Sequence, residues 1–181
     1  MDARTFLPAP ALAVASPPAL GDLAPELPVS LEPGRSAVVA FLRHTGCPFS
    51  EATLRALRDA AAASPEVQWV AISHAPADAT DRWCRGVGGS AGVQIVSDQS
   101  RWSYAAWGLG QTRITHFLGR RSLGAVTRLA RQGIRNTHPT GTRWQSAGTF
   151  AIDRERIVRW RHLPEHAGDL PELDAARVAV A

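Results

Sequence analysis

The stretch from Val38 to Ser50 constrains the fold of this 181-residue chain more than any other. It begins with an apolar run, Ala37 to Leu42, in which β-branched Val38 and Val39 and aromatic Phe41 favour a strand buried on both faces. Gly46 then permits a sharp reversal, and Pro48 suits the first position of a helix, where a backbone N–H would have no partner. From Pro48 to Ala63, Phe49, Ala52, Leu54, Ala56, Leu57 and Ala60 recur at helical spacings, while Glu51, Arg55, Arg58 and Asp59 supply a polar face. The pattern is strand, tight turn, helix, and it sets Cys47 at the helix N-terminus. Unpaired N–H groups and the positive end of the helix dipole there favour thiolate over thiol, and Arg43 and His44 add positive charge nearby.

The next elements turn this unit into a layered α/β domain. Val67 to Ser73 reads as a second strand, so strand, helix and strand make a parallel pair with a right-handed crossover. Functional groups gather at the carboxyl ends of such strands, which places Thr45-Gly46-Cys47 and Ser73-His74-Ala75-Pro76 together. Asp78 or Thr80 is expected to cap a short helix carrying Trp83 and Cys84, ended by Gly86 to Gly89. Val93 to Val96 gives a third strand, and Asp98 or Ser100 caps a helix through Trp107. Ser122 to Gln132 is a further helix with Leu123, Val126, Leu129 and Ala130 as its apolar side, stopped by Gly133, and residues 136–141 form a loop. Of Trp102, Trp107 and Trp144, two are expected in the core. Thr149 to Asp153 and Ile157 to Trp160 form a hairpin, and Asp169 or Pro171 opens a terminal helix from Glu172 to Val180. Residues 1–35, with seven prolines, form an arm in which Leu27 to Leu31 could pair as a short hairpin, and residues 36–181 form the main domain with an insertion over 110–147.

Composition narrows the classes. Two cysteines exclude a secreted disulfide framework, and no apolar run approaches a membrane span. The start, Met1 to Ala15, resembles a signal peptide only faintly, because its charges cancel and Pro8 and Pro10 interrupt it, so a cytoplasmic location is expected. The net charge is +4 and every basic residue is Arg. From Gln99 to Ile152 there is no acidic residue and there are eight Arg, so this segment carries +8 and leaves −4 on the rest. Such a segment could attract an anionic partner, although a solvated Arg-rich helix is the commoner explanation and a nucleic-acid partner is not expected. His162, Glu165, His166 and Asp169 match no metal-ligand spacing, and no flavin or nucleotide motif is present, so no cofactor is expected.

Three segments carry a family resemblance. Cys47-Pro48-Phe49-Ser50 after a strand and turn resembles the thioredoxin fold. Ser97-Asp98 with Tyr104 to Leu109, and Trp144 to Asp153 with its Gly-Thr-Phe, resemble the alkyl hydroperoxide reductase / thiol-specific antioxidant group in its peroxiredoxin-like branch. The resemblance implies a thioredoxin-like three-layer sandwich with a central mixed sheet, here with an Arg-rich helical insertion. It also implies a thiol peroxidase acting on a hydroperoxide, with Cys47 as the peroxidatic residue and Cys84 either resolving or structural. A thioredoxin-type or low-molecular-weight thiol would serve as reductant, and a homodimer is admissible. Where the family has a Thr three residues before the cysteine this chain has His44, with Thr45 next, and Arg143 is the nearest counterpart of the family's Arg before the late strand. Two other functions fit: thiol-disulfide exchange through Cys47-Pro48-Phe49-Ser50, and a non-enzymatic redoxin-fold module using its basic surface.

Overall fold

The computed structural model describes residue 10 and residues 12–112, 120–137 and 139–181. Its element order is β1 (Ala37–Phe41), α1 (Pro48–Ala63), β2 (Gln68–Ser73), α2 (Ala77–Gly86), β3 (Val93–Ser97), α3 (Trp102–Ala106), α4 (Arg120–Arg131), β4 (Gly148–Ile152), β5 (Val158–His162) and α5 (Leu173–Val178). The strands form a mixed five-stranded sheet in the order β3-β2-β1-β4-β5. β1 is central, parallel to β2 with Phe41 opposite Ile72, and antiparallel to β4 with Phe41 opposite Gly148.

Because successive side chains on a strand point to opposite faces, the unbroken apolar run of β1 feeds two cores. Val38, Ala40 and Leu42 pack with Leu54, Leu57 and Ala61 of α1 and with Leu173 and Ala176 of α5. Val39 and Phe41 pack on the other side with Tyr104, Trp107, Phe150 and Ile152. This makes the three layers of an α/β sandwich. Phe41 meets Tyr104 edge-on at 5.1 Å between centroids, and Trp107 meets Phe150 at 4.7 Å, separations at which aromatic pairs add to simple burial. No helix among the described residues is long and apolar enough to cross a membrane.

Several local expectations are corrected. Leu27 to Leu31 form no hairpin; Leu27, Val29 and Leu31 lie against the second core, and the strand-type bridge among the arm's described residues is Leu23 to Ile157. The described part of the arm is tied down, with Ala15 N donating to Ala105 O at 3.0 Å and Trp107 Nε1 to Glu26 O at 3.1 Å. Neither Asp78 nor Thr80 caps α2: Asp78 pairs with Arg82, and the Thr80 hydroxyl donates to Ser73 Oγ. Asp98 does hold the start of α3, accepting from the backbone N–H of Arg101 and Ser103 at 2.9 Å each. α5 opens at Glu172 without a side-chain cap, since Asp169 instead accepts from the Glu165 backbone N–H. Only Trp107 of the three tryptophans is core, Trp102 being 42% exposed and Trp144 partly covered. On α4 the buried positions are Ala125 and Leu129, while Val126 and Ala130 face outward. Residues 1–9, 11, 113–119 and 138, and the side chains of residues 120–123, lie outside the described residues, so most of the faintly signal-like start and part of the expected insertion fall there.

Candidate active site around Cys47

Cys47 owes its position to a turn that only glycine completes easily. The Cys47 N–H donates to His44 O at 3.3 Å, and Gly46, at φ 79°, occupies the left-handed position of that turn. Cys47 then serves as N-cap of α1, with Pro48 at the first helical position and no side chain capping the free N–H groups. Those groups and the dipole of a sixteen-residue helix face the thiol's neighbourhood. The thiol itself is 3% exposed and packs with Phe49, Ala52, Ala125, Leu129, Ile134 and Ala167. The covering residues Ala125 and Leu129 come from α4, and Ile134 from just after it.

The other half of the site is cationic. Arg43, directly after the core strand, is 6% exposed and donates from Nη2 to Arg143 O at 3.3 Å. Burial lowers its pKa, the adjacent Cys47 sulfur pulls it back up, and Arg143 lowers it further. His44 is buried, and desolvation followed by the charges of Arg43, Arg143 and His74 pushes its pKa well below 6.5. Burial likewise lowers His74 to about 4, against the raising effect of its contact with Thr142 O. Both rings are therefore neutral at pH 7.

Thr137 and residues 139–143 lie across this site as a strap. Thr137 N donates to Gly46 O at 3.0 Å, Thr45 forms an isolated antiparallel bridge with Thr140, and His74 Nε2 lies 3.1 Å from Thr142 O. Gly141 sits so close over His74 that a Cβ there would come within 2.7 Å of Nε2. Below, the Tyr104 hydroxyl is shared between Leu42 O and Ile72 O, each 2.7 Å away, and thus ties together the ends of β1 and β2 from which His44 and His74 emerge. Between α1 and α4 lies a groove of about 430 Å³ walled by Phe49, Ala52, Ala125, Leu129 and Ile134, with Arg55 and Arg128 at its rim.

The structure thus gathers Cys47, His44, Thr45 and Arg143, together with His74, which the sequence set at the end of the neighbouring strand. Cys84 is elsewhere: it packs with Leu57, Ala61 and Val93 in the core beneath α1, and both cysteines are free. Burial raises the Cys84 pKa. The sequence offered Arg143 as the stabilising cation and Arg43 as added positive charge; in the structure Arg43 interacts electrostatically with both Cys47 and Arg143. The signal was an Arg attached directly to a wholly buried strand, where a charge persists only with a specific task or partner.

The AhpC/TSA antioxidant enzyme family matches residues 53–166, more than half of the chain, in a span that begins just past Cys47. Nothing among proteins of curated function matches the sequence. Among solved structures, the peroxiredoxin-like protein from Aquifex aeolicus superposes with a TM-score of 0.65 at 15% identity, covering 93% of this chain and 90% of its own. The thiol peroxidase from Chromobacterium violaceum gives 0.63 at 14% identity, with 93% and 89% covered. The peroxiredoxin 6 of Arenicola marina, as a cysteine-to-serine variant, gives 0.61 at 16% identity, with 89% and 71% covered. These likenesses show the fold, and the family match shows the kinship: the chain belongs to the AhpC/TSA antioxidant enzymes and has the peroxiredoxin-like form of the thioredoxin fold.

Proposed function

We propose that the protein is a thiol peroxidase that reduces hydroperoxides through a sulfenic acid on Cys47. The observation that carries this reading is the Arg43 guanidinium, 6% exposed and electrostatically engaged with the Cys47 sulfur at the N-terminus of α1. A poorly screened buried cation and a helix dipole both stabilise a thiolate, which is the nucleophile. The sulfur attacks the hydroxyl-bearing oxygen of the peroxide; the S–O bond forms, the O–O bond breaks, and the leaving oxygen takes a proton to become an alcohol or water. Thr45 and His44 contact the peroxide, and Arg143 adds a second positive charge beside Arg43. A thiol then condenses with the sulfenic acid, releasing water and leaving a disulfide. That thiol is Cys84 after local opening of α2, or an external one, and a thioredoxin-type or low-molecular-weight thiol in the cytoplasm reduces the product. The groove between α1 and α4 is the approach to the thiol, and an organic tail would lie along its apolar walls.

The test is free-thiol titration with intact mass before and after one equivalent of hydrogen peroxide, on the wild type, Cys84→Ser and Cys47→Ser. A gain of one oxygen by Cys84→Ser and none by Cys47→Ser is expected. Loss of two thiols by the wild type assigns resolution to Cys84; a stable sulfenic acid in the wild type assigns it to an external thiol. If peroxide leaves every variant unchanged while a disulfide substrate oxidises Cys47, exchange chemistry replaces peroxidase chemistry.

A further inference from the structure

His44 and His74 leave neighbouring parallel strands, three and two residues beyond the paired Phe41 and Ile72. They are 5% and 3% exposed, and His74 is close enough for its charge to bear on His44. A carbonyl oxygen can only accept, so the contact from His74 Nε2 to Thr142 O places the proton on Nε2 and leaves Nδ1 as a bare lone pair. That Nδ1 has no partner among the described residues, and neither has Nδ1 or Nε2 of His44. An unmatched buried polar atom costs about 1–3 kcal/mol, so three of them on the strand ends that lead into the Cys47 turn call for an occupant. Two neutral imidazoles in this state offer one N–H donor and two lone pairs. A hydroperoxide, H–O–O–R, offers the complement: one O–H donor and two acceptor oxygens.

We propose that His44 is a catalytic residue of the peroxide step, receiving the hydroperoxide between its ring and that of His74 and delivering to the leaving oxygen the proton that Cys47 gave up on becoming a thiolate. This rests on the reading of Cys47 as the peroxidatic thiol. As sulfur bonds to the hydroxyl-bearing oxygen, the O–O bonding pair departs on the distal oxygen. The proton surrendered by the thiol, held in passing on the free nitrogen of His44, ends on that oxygen. Sulfur is oxidised to the sulfenic acid, the peroxide is reduced to an alcohol or water, and the peroxide's own hydrogen stays in the S–OH group. The cations beside His44 disfavour imidazolium, so the proton is passed on rather than kept. Thr142, through its carbonyl, fixes which nitrogen of His74 is bare, and His74 acts as the positioning residue.

The experiment measures two rates for Cys47 in the Cys84→Ser background: oxidation by hydrogen peroxide, followed by intact mass, and alkylation by iodoacetamide, which needs a thiolate but no proton relay. His44→Leu keeps the volume and removes both nitrogens; His44→Gln keeps a donor and an acceptor but no relay. Oxidation is expected to fall by about a hundredfold in both, the usual scale of a lost general acid–base group, while alkylation changes by less than about threefold. His44→Leu is also expected to melt at a higher temperature than the parent, because it removes unmatched buried polar atoms. Parent-like oxidation by either folded variant overturns the proposal, as does a parallel loss of alkylation, which would mark His44 as packing alone. Should His44→Leu fail to fold, His44→Gln decides. A parent that alkylates but never reacts with peroxide overturns the peroxidase reading itself, a result separable from failure of the His44 role.

Discussion

Cys47 and Cys84 are equally hidden, 3% and 6% exposed, yet their surroundings are opposites. Cys47 stands at the open end of a long helix, with Arg43, Arg143 and two histidines on one side and a mainly apolar cover on the other. Cys84 lies inside the short helix α2 with its side chain in the main core, and Arg58 of α1 secures the turn behind it by donating to Val87 O and Gly89 O at 2.9 Å each. Depth of burial therefore says little about a thiol. What differs is the direction of the surrounding field: backbone dipole and guanidinium charge converge on Cys47, whereas around Cys84 desolvation dominates and protects the neutral form.

The contrast yields a graded set of expectations. The largest is that Cys47→Ser abolishes peroxide oxidation, while Cys84→Ser leaves the first oxidation step within a few-fold of the wild type; mass spectrometry after stoichiometric peroxide distinguishes them. Next, Arg43→Met is expected to slow both oxidation and alkylation of Cys47 by about a hundredfold, the scale of one removed electrostatic stabiliser, and to leave alkylation of Cys84 in urea unchanged. Gly141→Ala should lower stability by about 1–3 kcal/mol in denaturant titration, since φ there is 89° and the added Cβ meets His74.

Acid should act more gradually. His44 and His74 are neutral in the fold but titrate near 6.5 when unfolded, so the unfolded chain binds more protons and stability falls as pH drops below 6.5. For His74 the loss continues to about 4, at no more than about 1.4 kcal/mol per pH unit. Denaturation midpoints between pH 7 and 4 should show this slope, and His44→Leu should reduce it. The smallest effect concerns α2: Arg58→Met frees the carbonyls of Val87 and Gly89 and should speed labelling of native Cys84 several-fold, bringing the second thiol nearer to the first in behaviour.

The half of the site built from neighbouring residues was legible in the sequence. Gly46 and Pro48 dictate a turn and a helix start through local backbone chemistry, and α1 runs from Pro48 to Ala63 as its periodicity requires. The half assembled across the chain was not. Arg43 gains its role from Arg143, 100 residues away, and His74 from Thr142, 68 residues away, relations that no local pattern encodes. The face of α4 was misjudged for a related reason. Size suggested Val126, but the helix approaches so closely that a Cβ on Gly168 would fall 2.3 Å from Ala125, and only a small residue fits. The tryptophans repeat the lesson, for bulk put two of the three in the core and only Trp107 lies there.

The bridge between Thr45 and Thr140 joins residues 95 apart, and the closing contacts of the strap span similar distances. Contacts of such separation carry the loop-closure cost of the whole intervening chain and form late, whereas the turn at Gly46 and the first turns of α1 need only their neighbours. A chain emerging from the ribosome therefore presents Cys47, already at a helix end, well before the segment that roofs it has been made. Oxidative damage to this protein should fall most heavily on newly synthesised molecules.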